Sequence, residues 1–249
     1  MCRHLGYLGS STSVGSLLTR GTNSLRNQSF APTDMRGGGT INADGFGVAW
    51  WDEQTVRSYR NPMPIWTDPA VDDALPQSKS TSVIAAVRSA TVGMPVERSA
   101  CAPFTDERWA FSHNGVVFGW PDTVADLWSR VSPVDALMLP APTDAAALWI
   151  VLRHLLRTLD PESALRTLVS EVLATSPKAR LNFLLSDGTS MYATAVHHSL
   201  SVLQTEDSVM IASEPTDDDP DWTPIDDRTL VVATASEFTV SHLDEQEHT

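Results

Sequence analysis

Asp144-Ala145-Ala146-Ala147-Leu148-Trp149-Ile150-Val151-Leu152-Arg153-His154-Leu155-Leu156-Arg157-Thr158-Leu159 carries Leu148, Val151, Leu152, Leu155 and Leu159 three and four residues apart. Side chains at that spacing share one face of an α-helix, and Thr143 or Asp144 stands where an N-cap belongs. Residues 162–174 repeat the pattern through Leu165, Leu168, Val169 and Leu173, so the middle of the chain is expected to hold two helices. Both flanks read as strands. Upstream, Ser82-Val83-Ile84-Ala85-Ala86-Val87-Arg88 has the Val/Ile content of a buried strand. Trp109-Ala110-Phe111-Ser112-His113 alternates apolar and polar residues and is expected to run into a turn at Asn114-Gly115. The first fifty residues predict a strand, a polar and partly helical stretch, a glycine-rich loop (Gly37-Gly38-Gly39) and a second strand over 45–51. Residues 57–60 continue that strand as a hairpin before Pro62, Pro64 and Pro69 interrupt regular structure. Downstream, strands are expected over 181–185, 190–196, 200–204, 209–213, 229–233 and 238–240. Strands, then helices, then strands, mostly joined as hairpins, argue for an α+β fold with largely antiparallel sheets and helices layered on them. No repeat or low-complexity linker divides the chain, so a single domain over 1–249 is expected.

Composition removes several classes of function. The 249 residues are 42% hydrophobic and only 19% charged, which excludes disorder and coiled coil. The longest unbroken apolar run, residues 145–152, is far short of the roughly 20 residues of a membrane span. A net charge of −14 would repel nucleic-acid phosphates and anionic membrane surfaces, so neither is an expected partner. Two cysteines, Cys2 and Cys101, cannot build a disulfide framework, and the first residues lack the apolar core of a signal peptide. A cytoplasmic, reducing setting is expected.

Most candidate binding motifs fail on inspection. The acidic stretch 216–227 lacks the alternating ligands, mid-loop glycine and closing Glu of a calcium loop. Gly37-Gly38-Gly39 lacks both the Lys-Ser/Thr ending of a phosphate loop and dinucleotide-fingerprint spacing. The seven histidines form no metal-binding pair, and neighbouring His197 and His198 would point to opposite faces of a strand. No metal and no cofactor is expected.

Cys2 differs because of its position. Its side chain is small, so the initiator methionine is expected to be removed, leaving the thiol and a free α-amine on one residue. An α-amine titrates near pKa 8, so it can serve the thiol as a general base. A buried small hydrophobe is the bland alternative for any free cysteine. Companions favour chemistry. Arg88 ends a buried strand with a guanidinium suited to a carboxylate. His113-Asn114-Gly115 offers an amide and a flexible glycine for an oxyanion. Thr143-Asp144 opens a helix with a carboxylate able to accept from an ammonium. A surface ion pair, a hairpin turn and a helix cap would explain each one separately; their occurrence together with an N-terminal nucleophile is what carries the argument.

Cys2, Asp44-Gly45-Phe46-Gly47, Arg88-Ser89-Ala90-Thr91-Val92-Gly93, His113-Asn114-Gly115 and Thr143-Asp144 resemble, in that order, the glutaminase domain of class II glutamine amidotransferases. These are N-terminal-nucleophile (Ntn) hydrolases, and the likeness covers nearly the whole chain. It implies a four-layer αββα sandwich, with Cys2 as nucleophile and its α-amine as base. It further implies an oxyanion hole from the Asn114 amide and the Gly115 N–H. Arg88, helped by Thr91, would hold the α-carboxylate of a γ-glutamyl group, while Asp144 and the Gly115 carbonyl would hold its α-ammonium. Arg36, Asp44 and Gly47 would frame the nucleophile, although here several residues separate Arg36 from Asp44. Ser89 replaces an aromatic residue of the family pattern, and Ala146 replaces an acidic one. Ala102-Pro103-Phe104-Thr105 and a late Ser213-Glu214-Pro215 are similar to the stand-alone branch, above all to the amidohydrolases of ergothioneine biosynthesis, which release glutamate from a γ-glutamyl-hercynylcysteine S-oxide conjugate.

No synthase domain accompanies the hydrolase motifs, so water is the expected acceptor and a small γ-glutamyl compound the expected partner; a homo-oligomer is left open. Two other readings stand beside this one: a glutaminase subunit supplying ammonia to a partner synthase, and a catalytically silent γ-glutamyl-binding module. Trp50, Trp51, Trp109 and Trp120 lie near the motif strands, and some of them are expected to line the leaving-group side.

Overall fold

The computed structural model describes residues 2–36 and 41–244, so the glycine-rich loop at 37–39 lies outside the described residues. The described strands are β1 (Arg3–Ser13), β2 (Phe46–Asp52), β3 (Thr55–Asn61), β4 (Lys79–Val87), β5 (Phe104–Thr105), β6 (Ala110–Val116), β7 (Arg180–Ser186), β8 (Met191–Ala195), β9 (Ser201–Gln204), β10 (Ser208–Ala212), β11 (Thr223–Pro224), β12 (Thr229–Ala233) and β13 (Phe238–His242). They form two antiparallel sheets, β11-β9-β10-β1-β4-β2-β3 and β13-β12-β8-β7-β6-β5. The helices are α1 (Val14–Thr19), α2 (Leu25–Gln28), α3 (Ala70–Asp73), α4 (Ala125–Trp128), α5 (Pro133–Leu137), α6 (Asp144–Leu155) and α7 (Pro161–Thr175).

Strand periodicity sorts the side chains into three apolar layers. Leu5, Tyr7, Val48, Val83 and Val87 of the first sheet pack with Val14, Leu17, Leu18 and Val71 of the helices on its outer face. Ala49, Trp51 and Ile84, on the other face, meet Leu184, Met191, Ala193 and Val231 of the second sheet. Phe111, Leu181, Phe183 and Leu185 then meet Leu148, Trp149, Leu152, Leu165 and Leu168 of α6 and α7. Three cores separate four layers, the α+β sandwich αββα. The first half of β1, the second half of β4 and most of β7 are buried on both faces, and only in β4 does this show as an unbroken apolar run, Val83–Val87.

Both long helices form, and the Thr143 hydroxyl caps α6 by accepting from Ala146 N at 3.2 Å. Three local expectations need correction. Helix α6 stops at Leu155 rather than Leu159, because residues 156–159 tighten into a turn, with Arg157 N on His154 O and Thr158 N on Leu155 O. Asn114-Gly115 is not a turn: both residues lie inside β6, paired with Asn182 and Leu181. His197 and His198 do not sit on a strand. They follow the end of β8 with their rings in contact at 5.2 Å, and His197 has a φ of 80°. The last strands are also divided between the sheets, since β8 and β9 are consecutive but never pair. Among the described residues no helix is long and apolar enough to cross a membrane.

Candidate active site

Cys2 stands one residue before β1, the central strand between β4 and β10. Pairing of Arg3 with Val87 brings the start of β1 beside the end of β4. The half-buried Cys2 thiol therefore meets the next turn, with Sγ 3.7 Å from the Ser89 carbonyl oxygen. That turn is held from below by Asp44. Its N–H donates to Arg88 O at 2.9 Å, its carboxylate accepts from Ala90 N at 2.7 Å, and Arg88 N donates to Gly45 O at 2.8 Å. Asp44 thus shapes residues 88–90 beside the Cys2 thiol. Gly47 acts further back in β2, where a Cβ would come 2.5 Å from the Ala102 carbonyl oxygen.

Arg88 is 9% exposed, donates from Nη1 to Pro95 O at 2.9 Å, and makes no ion pair among the described residues. A nearly buried guanidinium without a counter-charge is costly, so its remaining N–H groups suit an incoming carboxylate. Thr91 is exposed three residues on. It borders a cleft of about 370 Å³ shared with Met94, Val117, Phe118, Trp120 and Pro142.

The second sheet supplies the other wall. Positions 112 and 114 of β6 face the first sheet, as the contact of Ser112 Oγ with His4 Nδ1 at 3.3 Å shows. Asn114 is 1% exposed, and its Nδ2 lies 3.2 Å from Ser213 Oγ, on the chain just after β10. Gly115 admits no side chain, because a Cβ would fall 1.8 Å from the Arg180 carbonyl oxygen. That close approach explains a glycine in mid-strand without any turn. Asp144, at the N-terminus of α6, is buried and divides its carboxylate between Val117 N at 2.9 Å and Ala145 N at 2.8 Å. It pins the backbone just past Gly115, and it carries no ion pair among the described residues.

Arg36 is the outlier. It is exposed and pairs with Asp34 at 2.7 Å, and among the described residues its link to Cys2 runs through Asp34, whose carbonyl accepts from Arg3 Nη2, and Arg3 Nη1, which donates to Cys2 O. Arg3 and Glu214 carried no expected role, yet they form a buried ion pair at 2.6 Å next to Cys2. Burial pushes the Glu214 carboxyl up, but the Thr33 and Arg3 donors outweigh it and hold the group below the usual carboxylate range. Behind the site, burial and then the neighbouring His113 and Arg3 push His4 down to about 3, so it is neutral there. Of the four tryptophans near the motif strands, Trp51 lies between the sheets and Trp50 packs toward the outer helices. Trp109 packs on Tyr192 under the Arg108 guanidinium. Trp120 alone among these four borders the cleft with Thr91.

Comparison with known proteins bears on the family and the fold. Residues 16–206 match the family model of class-II glutamine amidotransferases. The chain is 40% identical over 248 residues to the γ-glutamyl-hercynylcysteine sulfoxide hydrolase of Mycobacterium tuberculosis, covering 98% of this chain and 97% of that one. It is 41% identical over 233 residues to the protein of the same name from Mycolicibacterium smegmatis, covering 93% and 95%. Among solved structures, a glutamine aminotransferase class-II domain protein from Silicibacter pomeroyi superposes with a TM-score of 0.70 at 21% identity, over 98% of this chain and 100% of that one. The glutamine phosphoribosylpyrophosphate amidotransferase of B. subtilis does so with a TM-score of 0.66 at 15% identity, over 98% of this chain and 50% of that one. These two likenesses speak to the fold.

Proposed function

The chain belongs to the class II glutamine amidotransferases, and from that membership we propose that it is an amidohydrolase that cleaves γ-glutamyl-hercynylcysteine S-oxide to glutamate and hercynylcysteine S-oxide, a step of ergothioneine biosynthesis. The observation that carries the reading is Arg88: a nearly buried guanidinium, without an ion pair among the described residues, one residue from the carbonyl that touches the Cys2 thiol. The near full-length identity to hydrolases of that name supports the choice of leaving group.

In the proposed mechanism Met1 is removed and the α-amine of Cys2 takes the thiol proton. The thiolate attacks the γ-carbonyl carbon, and the developing oxyanion is met by the Asn114 amide and the Gly115 N–H. Arg88 and Thr91 hold the α-carboxylate; Asp144 and the Gly115 carbonyl hold the α-ammonium. The protonated α-amine returns its proton to the departing amine, leaving a γ-glutamyl thioester on Cys2. Water, deprotonated by the same amine, adds to the thioester carbonyl and releases glutamate and the free thiol. The leaving group carries a trimethylammonium, which donates no conventional hydrogen bond. The rings of Trp120 and Phe118 along the cleft are what the chain offers it, at about 0.5–2 kcal/mol per ring.

The test compares kcat/KM for the γ-glutamyl-hercynylcysteine S-oxide with that for glutamine, and includes a substrate whose trimethylammonium is replaced by a neutral tert-butyl group. The conjugate is expected to win clearly over glutamine, and the neutral analogue to fall roughly two- to thirtyfold behind it. Preference for glutamine would make the chain a glutaminase; turnover of neither would leave a binding module.

A further inference from the structure

Ser213 and Glu214 have no part in the mechanism above, yet they touch both of its halves. Strand β10 ends at Ala212, paired with Leu5, while β1 has still to run back to Cys2. From here one backbone bond and one side-chain bond continue the contact. Ser213 N donates to His4 O at 3.0 Å, and His4 N donates to Ser213 Oγ at 3.0 Å. The same hydroxyl lies 3.2 Å from Asn114 Nδ2, across the gap between the sheets.

Asn114 Oδ1 is an orphan in that arrangement, buried with no partner among the described residues. The Ser213 hydroxyl meanwhile receives two donors, and among the described residues its own proton has no acceptor. The two ends of an amide fill the same volume, so turning the amide end for end pairs Asn114 Oδ1 with the Ser213 hydroxyl proton and leaves the NH2 as the end without a protein partner. Ser213 Oγ then accepts from His4 N and donates to Asn114 Oδ1, and the Asn114 NH2 takes the orphan's place with its protons free. An oxyanion donor requires that orientation.

Glu214 acts on the nucleophile. Its Oε1 accepts from Arg3 Nε at 2.6 Å, and its Oε2 accepts from Thr33 N at 2.8 Å and Thr33 Oγ1 at 2.5 Å. Arg3 Nη1 donates to Cys2 O at 3.0 Å, and Nη2 to Asp34 O. The Cys2 carbonyl is therefore tied through Arg3 to a carboxylate that is itself held by the backbone. Ser213 and Glu214 are 0% and 2% exposed, and both carboxylate oxygens of Glu214 are taken by protein donors, so each acts through its neighbours.

We propose that Ser213 and Glu214 are positioning residues: Ser213 turns the Asn114 amide so that its NH2 faces the oxyanion, and Glu214, through Arg3, fixes the main chain of Cys2. The nucleophile and the oxyanion donor belong to different sheets, and this dipeptide is bonded to both. The inference rests on the reading of Asn114 as the oxyanion donor.

A double-mutant cycle tests it. Ser213→Ala is expected to lower kcat about tenfold or more while KM stays within about twofold, because only transition-state geometry is lost. In an Asn114→Ala background the same change should cost less than about twofold, since there is no amide left to orient. A purely structural serine would cost the same in both backgrounds, and that additive result would overturn the proposal, as would native kcat in Ser213→Ala. If Asn114→Ala itself kept native kcat, the oxyanion reading and this inference would fall together; a crippled Asn114→Ala beside an unaffected Ser213→Ala would sink this inference alone. For the second half, Glu214→Asp keeps the charge opposite Arg3 but draws it back by one methylene. It should lower kcat about tenfold with an unchanged melting temperature, and native kcat there would remove Glu214 from the proposal.

Discussion

Cys2 and Cys101 are the same chemical group in two opposite settings. Cys101 is fully buried, and its thiol lies 3.5 Å from Asn61 O and 3.4 Å from Glu97 O, either of which can take its proton. Burial pushes it up to about 11, against the smaller opposing pull of Arg88 and Arg60. It is a small hydrophobe with its proton fixed. Cys2 is half-buried at the mouth of the gap between the sheets, beside the Arg88 turn and across from the β6 segment that carries Asn114. The surroundings separate the two: desolvation holds the Cys101 thiol protonated, while the Cys2 thiol keeps access beside the Ser89 carbonyl.

The sharpest way to break that comparison is to remove each thiol in turn. Cys2→Ala is expected to lower turnover by about 10⁴-fold or more while leaving the protein folded, as for other covalent nucleophiles. Cys101→Ala should keep turnover within about threefold. Full activity in Cys2→Ala, or in protein that intact mass shows to retain Met1, would reverse the assignment. Asn114→Ala comes next, removing a donor that matters only as charge develops. The expected loss is about 100- to 1000-fold, confined to kcat; a change in KM alone would make Asn114 a ground-state contact. Arg88→Lys follows, expected to raise KM roughly 10- to 100-fold through loss of the planar fork to the carboxylate. Esterifying the substrate α-carboxylate should then cost the native enzyme as much and the variant little more.

The two long helices and most of the strands were legible because each depends on local periodicity, and the order of the motifs was legible through the family resemblance. Asn114-Gly115 misled for the same reason: locally it favours a hairpin turn, but the Ser213 contact and the approach of the Arg180 carbonyl place it in mid-strand. Leu159 keeps the helical period of α6 but lies in the turn before Asp160 caps α7. The short helices α4 and α5 hold too few residues for a period to show. The Arg3–Glu214 pair could not be read at all, since 211 residues separate its partners and only the β1–β10 pairing brings them together. The late Ser213-Glu214-Pro215 text was the one available signal, and it carried no chemistry of its own until the strands were placed.

The smallest expected effect concerns the inert thiol. Its pKa rises from about 9 in the unfolded chain to about 11 in the fold. Between those values the native state holds a proton that the unfolded state has lost, so stability must fall as pH rises. The contribution is complete below pH 9 and is gone once pH passes 11. Urea midpoints of the native protein and of Cys101→Ala, taken from pH 8 to 11, should therefore converge upward in pH, the native protein losing the more. Tyrosines common to both proteins cancel in the difference. Parallel curves would mean that Cys101 titrates as it does unfolded, and the contrast with Cys2 would then reduce to accessibility alone.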